Sequence, residues 1–229
     1  MEELAHGYTN DTRREGGVVV KHHRGPGAAR RHRTEARALR AARGTVPVPA
    51  PLDPGPEPRS GPALPLVTSY VDAVHAEDLW ARGHADQVMA ACGRALRLVH
   101  GLDPALLPGP PPRPGQVFVH GDFGPNNVLM EPGGGRVAAV LDWEWAHPGA
   151  PVEDLAWCEW VVRTYHPGEV GALEAFFSAY GERPEWQERH AWMVRRCAQV
   201  TAFWEQWRPG SPVTGTRRAQ LAATRAWRE

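Results

Sequence analysis

The 229-residue sequence predicts an α+β fold, with short antiparallel strands in its first two thirds and helices toward its C-terminus. Short β-branched runs bounded by glycine and proline are typical of strands, and such runs recur up to residue 141. Beyond residue 150, long segments that turn-forming residues separate are predicted to be helices. A chain of this length can form one domain or two closely packed lobes.

The first elements are a predicted β-hairpin and a helix. Thr12–Arg14 and Val18–Val20 flank the turn formers of residues 15–17, and the second strand ends at Lys21. Arg30–Arg43 is rich in alanine and arginine, which are strong helix formers, and a glycine follows it directly.

Proline-rich segments separate the next elements. Val46–Pro65 is predicted to be extended or irregular and exposed, and Leu64–Val71 is predicted to be a strand. Ala85–His100 has apolar residues at intervals of three or four and is predicted to be an amphipathic helix. Asp103–Gly115 is a second linker rich in proline and glycine.

Three apolar runs in mid-chain predict three strands: Val117–Val119, Val128–Met130 and Val137–Leu141. Three helices are predicted after them: Glu153–Tyr165, Glu169–Tyr180 and Pro184–Trp207. Proline suits the first turn of a helix, which favours a start of the last helix at residue 184.

Nine of the ten tryptophans follow residue 141, and several alternate with acidic residues. Such a stripe is typical of a helical core. Carboxylates beside aromatic faces also suit a cationic, aminated ligand. The candidates for a substrate wall of this kind are Glu144, Glu159, Trp160 and Glu205.

The formal net charge is zero, which argues against a general nucleic-acid binder. The charge is nevertheless uneven, with +5 over residues 1–43 and −7 over residues 120–207. A positive region suits a polyphosphate and a negative one suits a cationic partner, although solvated helix faces would give the same asymmetry. Three widely spaced cysteines favour a reducing compartment, and no segment resembles a membrane span or a signal peptide. We therefore expect a cytoplasmic protein, a monomer or dimer, that binds neither membranes nor nucleic acid.

The polar residues around the mid-chain strands have the spacing H-x-D-x-x-x-x-N, followed by a strand and a second aspartate. His120, Asp122 and Asn127 occupy the loop, and Asp142 ends the third strand. Phosphoryl transfer needs a carboxylate that receives the acceptor proton and oxygen ligands that hold Mg²⁺ against the phosphates. The pattern supplies these groups, although aspartate and asparagine are also common in ordinary hairpin loops.

Lys21 is the only lysine among 26 basic residues. A position that keeps lysine in an arginine-rich chain favours a role for a compact ammonium, such as pairing phosphates. The upstream loop of Gly7, Tyr8, Thr9 and Asn10 could offer backbone and side-chain donors to phosphate oxygens, or form an ordinary surface turn.

The segments H-G-D-F-G-P-N-N-V-L and V-L-D-W-E-W-A-H-P-G-A-P-V-E-D-L-A together resemble the aminoglycoside phosphotransferase family, relatives of the protein kinases. The resemblance covers most of the chain. It implies that Asp122 is the catalytic base and that Asn127 and Asp142 hold Mg²⁺. It further implies that His120 braces the loop and that Asp154 is a structural carboxylate.

The resemblance implies a protein-kinase-like, two-lobe fold. Residues 1–68 would form a nucleotide-binding lobe with a small antiparallel sheet, a truncated first strand and one helix. Residues 69–229 would form a mainly helical catalytic and substrate lobe. The backbone of Ser69 and Val71 would bind adenine at the hinge. Glu35, in an E-A-x-x-L pattern, would pair with Lys21, although a surface ion pair with Arg31 or Arg40 is the alternative.

The function implied is a kinase that uses ATP (or GTP) and Mg²⁺ to phosphorylate a hydroxyl of an aminoglycoside-like, cationic small molecule. Two alternatives are a kinase of a metabolic amino alcohol, similar to choline or thiamine, and a non-catalytic nucleotide-binding pseudokinase. The pseudokinase is suggested by the six residues that precede Gly7, which leave little room for a first strand. A metal-dependent phosphoesterase is disfavoured because it leaves Lys21 and Asn127 without roles.

Overall fold

The computed structural model describes residues 2–3, 10–52 and 65–229. Its first part is a five-stranded antiparallel sheet in the order β1-β2-β3-β5-β4. Lys21 lies within β3 rather than at its end, paired with Thr12 on one side and Leu66 on the other. The strands are β1 (Glu2–Glu3), β2 (Asn10–Glu15), β3 (Val18–His23), β4 (Pro51–Leu52) and β5 (Leu66–Ser69).

Helix α1 (Ala28–Ala42) crosses this sheet region and carries Glu35. It begins two residues earlier than predicted, after Gly27 in a left-handed conformation with φ of 68°. Ala38, Leu39 and Ala42 on one face are fully or almost fully buried. The apolar face therefore fixes the rotation of α1, and Glu35 points inward as a result.

The middle of the chain forms two further small sheets. The order is β6-β8-β9 in one, and β7 pairs with β10 in the other. The first two predicted strands have the predicted bounds, whereas the third ends at Val140 because Asp142 turns the backbone at φ of 63°. The strands are β6 (Val74–His75), β7 (Val117–Val119), β8 (Val128–Met130), β9 (Val137–Val140) and β10 (His147–Gly149).

The remaining elements are helices, of which α3 has the predicted bounds. The predicted segment Glu169–Tyr180 divides into a 3-10 helix, Pro167–Ala172, which is kinked at Glu169, and helix α5, Leu173–Tyr180. The last predicted helix begins at Trp186, so Pro184 lies outside its first turn. The helices are α2 (Ala76–Trp80), α3 (Ala85–His100), α4 (Val152–Tyr165), α5 (Leu173–Tyr180), α6 (Trp186–Trp207) and α7 (Pro212–Ala226).

One hydrophobic core runs through both halves of the chain. It joins Leu39 of α1 to Met89 of α3, Phe118 of β7 and Phe176 of α5. A second cluster lies between α4 and α6. Trp143, Trp157, Trp160 and Trp204 are buried, which agrees with the interpretation of the tryptophan stripe as core. Among the described residues, no helix is both long and apolar enough to cross a bilayer.

Candidate active site

Asp122 lies on the loop between β7 and β8 and is held by hydrogen bonds to both carboxylate oxygens. The indole Nε1 of Trp157 on α4 donates to Oδ1 at 2.7 Å, and Nδ2 of Asn127 donates to Oδ2 at 3.0 Å. Burial, together with the charge of Asp142, raises the pKa of Asp122 above its usual value. The carboxylate is therefore oriented and is a stronger proton acceptor than an exposed aspartate.

His120 is fully buried and links the loop to the end of β9. Its Nε2 lies 2.9 Å from the carbonyl oxygen of Leu141, and its Nδ1 accepts the backbone N–H of Asp122 at 3.2 Å. A carbonyl oxygen only accepts, so this geometry places the ring proton on Nε2. The contacts connect Asp122 to Leu141, which directly precedes Asp142, and this geometry is compatible with the predicted role of His120 in bracing the loop.

Asp154, near the start of α4, anchors the backbone of the loop that carries Asp122. Its carboxylate accepts the backbone N–H groups of His120 at 2.7 Å and Gly121 at 2.8 Å, and Nε2 of His100 lies 3.1 Å away. Burial opposes the charged form, but the hydrogen bonds and the nearby histidines outweigh it, so the pKa of Asp154 is lowered. The contacts of Asp154 are therefore those of a residue that supports the loop backbone. His100, predicted only as a helix-end residue, is one of its partners.

Asn127 and Asp142 converge at the ends of β8 and β9. The Leu141 N–H donates to the carbonyl of Asn127 at 2.9 Å, which fixes the two strand ends together. The amide nitrogen of Asn127 contacts Asp122, so its Oδ1 is the atom that could ligate a metal. Asp142 has a left-handed backbone conformation, which is uncommon for a non-glycine residue and is often found at functional sites. One amide oxygen and one carboxylate fit Mg²⁺, which prefers oxygen ligands.

Lys21 forms the predicted ion pair with Glu35 and reaches Asp142 as well. Its Nζ lies 2.8 Å from Oε2 of Glu35 and 2.5 Å from Oδ1 of Asp142. Burial opposes the charged form of Lys21, but the surrounding carboxylates outweigh it and raise its pKa. The ammonium is therefore charged, only 12% exposed, and directly beside the candidate metal ligand.

Glu144 is buried in a network that the sequence analysis did not predict. Nη1 of Arg31 lies 2.7 Å from its Oε2, and Nδ2 of Asn10 donates to the same oxygen at 2.9 Å. Burial and the charge of Asp142 raise the pKa of Glu144 to about 7. Arg31 thus pairs with Glu144 rather than with Glu35. No local pattern distinguishes it from the other arginines of α1.

His23, Glu35 and Glu144 also bring three possible ligand atoms within 4.8 Å of one another. Lys21 already lies 2.8 Å from Glu35 and 4.0 Å from Glu144, however. Lys21 donates to both carboxylate oxygens of Glu35, at 3.0 and 2.8 Å, and Arg31 pairs with Glu144, so both carboxylates are already engaged. This cluster therefore acts as an ion-pair network around Lys21.

The predicted phosphate loop and hinge are only partly described. Gly7, Tyr8 and Thr9 lie outside the described residues, and the side chain of Asn10 contacts Glu144. The N–H and the hydroxyl of Ser69 both bond to Ala50, at 2.8 and 2.9 Å, so Ser69 cannot donate its N–H to adenine in this conformation. Val71 follows in a half-buried loop.

Three of the four predicted substrate-wall residues have protein partners of their own. Glu159 is fully buried between Arg163, at 2.8 Å, and Arg189, at 3.0 Å. Trp160 is buried against Trp157 and donates to Thr224 at 2.8 Å. Glu205 on α6 forms an exposed ion pair with Arg218 on α7. Helical periodicity alone did not show which neighbours these faces would meet.

A cavity of about 300 Å³ lies beside the loop that carries Asp122, between α1, α4 and α6. Gly121 and Trp157, the neighbour and the hydrogen-bond donor of Asp122, belong to its wall. The other lining residues are Arg30, Thr34, Glu144, Trp145, Ala146, His147, Glu153, Trp192, Arg196 and Gln199. Glu144 is thus the only predicted wall residue on it.

The chain matches a known protein family and is similar in fold to several solved structures. Residues 1–115 and 105–192 match the profile described as the phosphotransferase enzyme family. The fold is similar to the GDP complex of aminoglycoside 2'-phosphotransferase-IIIa, with a TM-score of 0.77 and 13% identity over 98% of this chain and 92% of that chain. It is also similar to the ternary complex of a thermostable aminoglycoside phosphotransferase APH(4)-Ia mutant with AMP-PNP and hygromycin B, at 0.70 and 15% over 97% and 91%.

Two further relatives broaden the comparison. A choline/ethanolamine kinase family protein from Mesorhizobium loti gives a TM-score of 0.65 and 19% identity over 98% of this chain and 86% of that chain. Acyl-CoA dehydrogenase family member 11 of Gallus gallus is 44% identical over 48 residues, 21% of this chain. The aligned stretch covers 6% of that curated relative. The predicted α+β, protein-kinase-like fold is confirmed by the structural relatives.

Proposed function

The chain belongs to the phosphotransferase enzyme family, and we propose that it is an ATP-dependent kinase that phosphorylates a hydroxyl of a small molecule. The observation that carries this proposal is the contact between Lys21 and Asp142 at 2.5 Å. It brings the predicted phosphate-binding ammonium onto the predicted metal ligand, with the candidate base on the adjoining loop.

The nucleotide would bind between residues 1–68 and 69–229, the two predicted lobes. Lys21 would place its ammonium against the phosphates, with Glu35 holding it in position. Asn127 and Asp142 would hold Mg²⁺, which neutralises charge on the phosphates during phosphoryl transfer. Solved relatives hold GDP or AMP-PNP, which supports nucleotide binding without deciding between ATP and GTP.

Asp122 would orient the acceptor hydroxyl and take its proton. The hydroxyl oxygen bonds to the γ-phosphorus as the bond to the β–γ bridging oxygen breaks. The two hydrogen bonds from Trp157 and Asn127 fix the carboxylate, so that alignment is in place before the acceptor arrives. The raised pKa of Asp122 brings its basicity closer to neutral pH, as suits general-base catalysis.

A cationic, aminoglycoside-like acceptor is the first candidate because solved relatives were crystallised with kanamycin or hygromycin B. An amino alcohol is the second, because a choline/ethanolamine kinase family protein shares the fold. Three carboxylates were predicted to recognise a cationic substrate. In the described residues each of them, Glu144, Glu159 and Glu205, is instead paired with an arginine of the protein. A catalytically inactive nucleotide binder is disfavoured because it would not need a base oriented like Asp122.

The test is phosphate transfer from γ-labelled ATP and GTP to kanamycin, hygromycin B, choline, ethanolamine and hydroxy acids. Asp122→Asn should lower transfer by at least about 100-fold, the low end for loss of a general base. The affinity for ATP, measured by calorimetry, should stay within about twofold, because Asp122 touches the acceptor rather than the nucleotide. Asp78→Asn, on an exposed site of α2, makes the same change as a control. Equal loss of ATP binding and transfer in Asp122→Asn would contradict the proposed role.

A further inference from the structure

The cavity beside Asp122 is lined by two carboxylates that already have partners within the protein. Glu144 pairs with buried Arg31 at 2.7 Å. Glu153 accepts the N–H of Ala150 at 2.8 Å and lies 3.2 Å from Nε2 of His147. An ammonium group of a ligand would therefore compete with these partners for the carboxylate oxygens.

The two arginines that line the same cavity, Arg30 and Arg196, have no carboxylate partner among the described residues. Arg196 donates Nη2 to the carbonyl oxygen of Gly121 at 2.8 Å. Across residues 10–52 and 65–229, no carboxylate oxygen lies within 4.0 Å of the guanidinium of Arg196 or Arg30. Asp122 and Glu153 act on Arg196 only at longer range. Among the described residues, the buried Nε of Arg196 has no hydrogen-bond partner, and a buried donor without a partner is costly unless a ligand supplies one.

The guanidinium of Arg196 is held in place by aromatic rings. Its central carbon lies 5.2 Å from the ring centroid of Trp145 and 5.5 Å from that of Trp157. Both rings belong to the cavity wall, as does Trp192. A planar guanidinium fixed between two rings loses little freedom when it binds a planar carboxylate. The same rings offer contact area to an apolar or aromatic body.

The cavity is also in the right place for an acceptor. Trp157 contacts Arg196 and donates to Asp122, while Gly121, which accepts from Arg196, precedes Asp122 in the chain. A molecule bound to Arg196 therefore lies next to the candidate base.

We propose that the phosphoryl acceptor is a small molecule that carries both a hydroxyl and a carboxylate. The carboxylate binds Arg196, with exposed Arg30 as a second cation on the cavity wall, and the rest of the molecule packs against the tryptophans of that wall. This inference rests on the proposed kinase function and names an anionic substrate class for that site, in place of the cationic acceptors that the relatives suggest. The carboxylate anchors the molecule unchanged. Its hydroxyl attacks the γ-phosphorus, ADP leaves through the β–γ bridging oxygen, and the hydroxyl proton passes to Asp122.

The test uses three probes that differ in one group: 4-(hydroxymethyl)benzoate, 4-(hydroxymethyl)benzamide and 4-(aminomethyl)benzyl alcohol, which are negative, neutral and positive. Binding to the full chain is measured by calorimetry with AMP-PNP and Mg²⁺ present, and transfer is measured separately with labelled ATP and GTP. The carboxylate should bind at least about tenfold more tightly than the amide, as one charge-assisted hydrogen bond provides. The positive probe should bind most weakly.

Variants then assign this preference to residues. Arg196→Gln should reduce the ratio between carboxylate and amide affinities to about one, and Arg196→Lys should restore only part of it, because the planar fork is lost. Arg30→Gln, on an exposed site, should reduce the ratio by about twofold, as expected for a solvated charge. Arg33→Gln, one turn along α1 and exposed, makes the same charge change and should leave the ratio intact.

The outcomes separate this inference from the proposed function. No carboxylate preference in the unmodified protein, or a preference for the positive probe, overturns the inference even if phosphate is transferred. A preference that survives Arg196→Gln overturns it too, as does competition between the carboxylate and AMP-PNP, which would assign the cavity to nucleotide phosphates. Carboxylate binding lost in Arg196→Gln, with no transfer from ATP or GTP, upholds the binding site and overturns the kinase function instead.

Discussion

The ammonium of Lys21 lies 2.5 Å from Oδ1 of Asp142, although 121 positions separate the two residues in the chain. This contact joins β3 of the first sheet to the end of β9. Asp142 has a left-handed backbone conformation at this contact, a geometry that persists only where the surroundings enforce it. The contact therefore connects the first sheet to the candidate metal ligand.

Replacing Lys21 by methionine should lower kcat/KM for ATP by about 100-fold, the usual effect of removing one preorganised charge at a phosphoryl group. Lys21→Arg should not restore activity, because the larger guanidinium cannot meet Glu35 and Asp142 in the same space. Steady-state kinetics across ATP concentrations gives the result. Arg24→Met removes a cation from an exposed pair with Asp11 and is the control. Full activity in Lys21→Arg would contradict this role.

Replacing Trp157 by phenylalanine should shift the acid limb of the pH–rate profile to higher pH. The indole N–H stabilises the charged form of Asp122. Its loss therefore raises the pKa further, and the base ionises only at higher pH. The shift should be about one unit, equivalent to one hydrogen bond to a charged group. Kinetics of kcat/KM from pH 4 to 9 measures it.

Trp160→Phe removes the same group from the ring stacked on Trp157, but its N–H donates to Thr224. Its acid limb should not move. An equal shift in both variants would mean that the packing of α4, rather than the hydrogen bond to Asp122, determines the pH of the acid limb.

Replacing Asp154 by asparagine should destabilise the protein at neutral pH by about 2–4 kcal/mol, because two buried backbone donors lose a charged acceptor. The lowered pKa of Asp154 means that its stabilisation is present above the unfolded value of 3.8 and is lost as the pH falls through the folded value. The difference between the variant and the parent should therefore shrink below pH 4. Urea unfolding at pH 7 and pH 3.5 measures it, with exposed Asp86→Asn as the reference.

Replacing Gly121 by alanine should cost more stability than left-handed strain alone explains. Its φ is +82°, and an added Cβ would lie 2.5 Å from the carbonyl oxygen of Trp145. Gly83 has a φ of +87° with no atom within 4 Å of an added Cβ, so Gly83→Ala isolates the strain at about 1–2 kcal/mol.

The clash at Gly121 should add about 1–3 kcal/mol, as overpacking does, and should also lower phosphate transfer by displacing Asp122. Thermal unfolding of the two variants side by side measures the difference. Equal costs would show that the loop relaxes around the new methyl group.

Local patterns predicted the elements that carry the site. The bounds of β7, β8 and α3 follow from apolar spacing, and the Lys21–Glu35 pair followed from the family pattern. Partner choice between distant charges could not be predicted, because it depends on tertiary contact. Arg31 meets Glu144 rather than Glu35, and Glu159 faces Arg189.

Helix α7 was missed although Ser211 caps its start, with Oγ accepting the N–H of Thr214 at 3.3 Å. Its sequence has few large apolar residues, so the periodicity that indicated the other helices is weak there. The cavity escaped prediction for a different reason. Arg30, Trp157 and Arg196 come together only when α1, α4 and α6 pack.

The singular status of Lys21 has a chemical consequence. Every other basic side chain except histidine is a guanidinium, which acylating reagents leave unmodified at neutral pH. The only ε-amine is held between two carboxylates in the interior, where its protonated form has no nucleophilic lone pair. Acylation of this side chain therefore requires the cleft to open and the ammonium to lose its proton. The rate at which Nζ of Lys21 is acylated therefore measures how often β3 separates from Asp142.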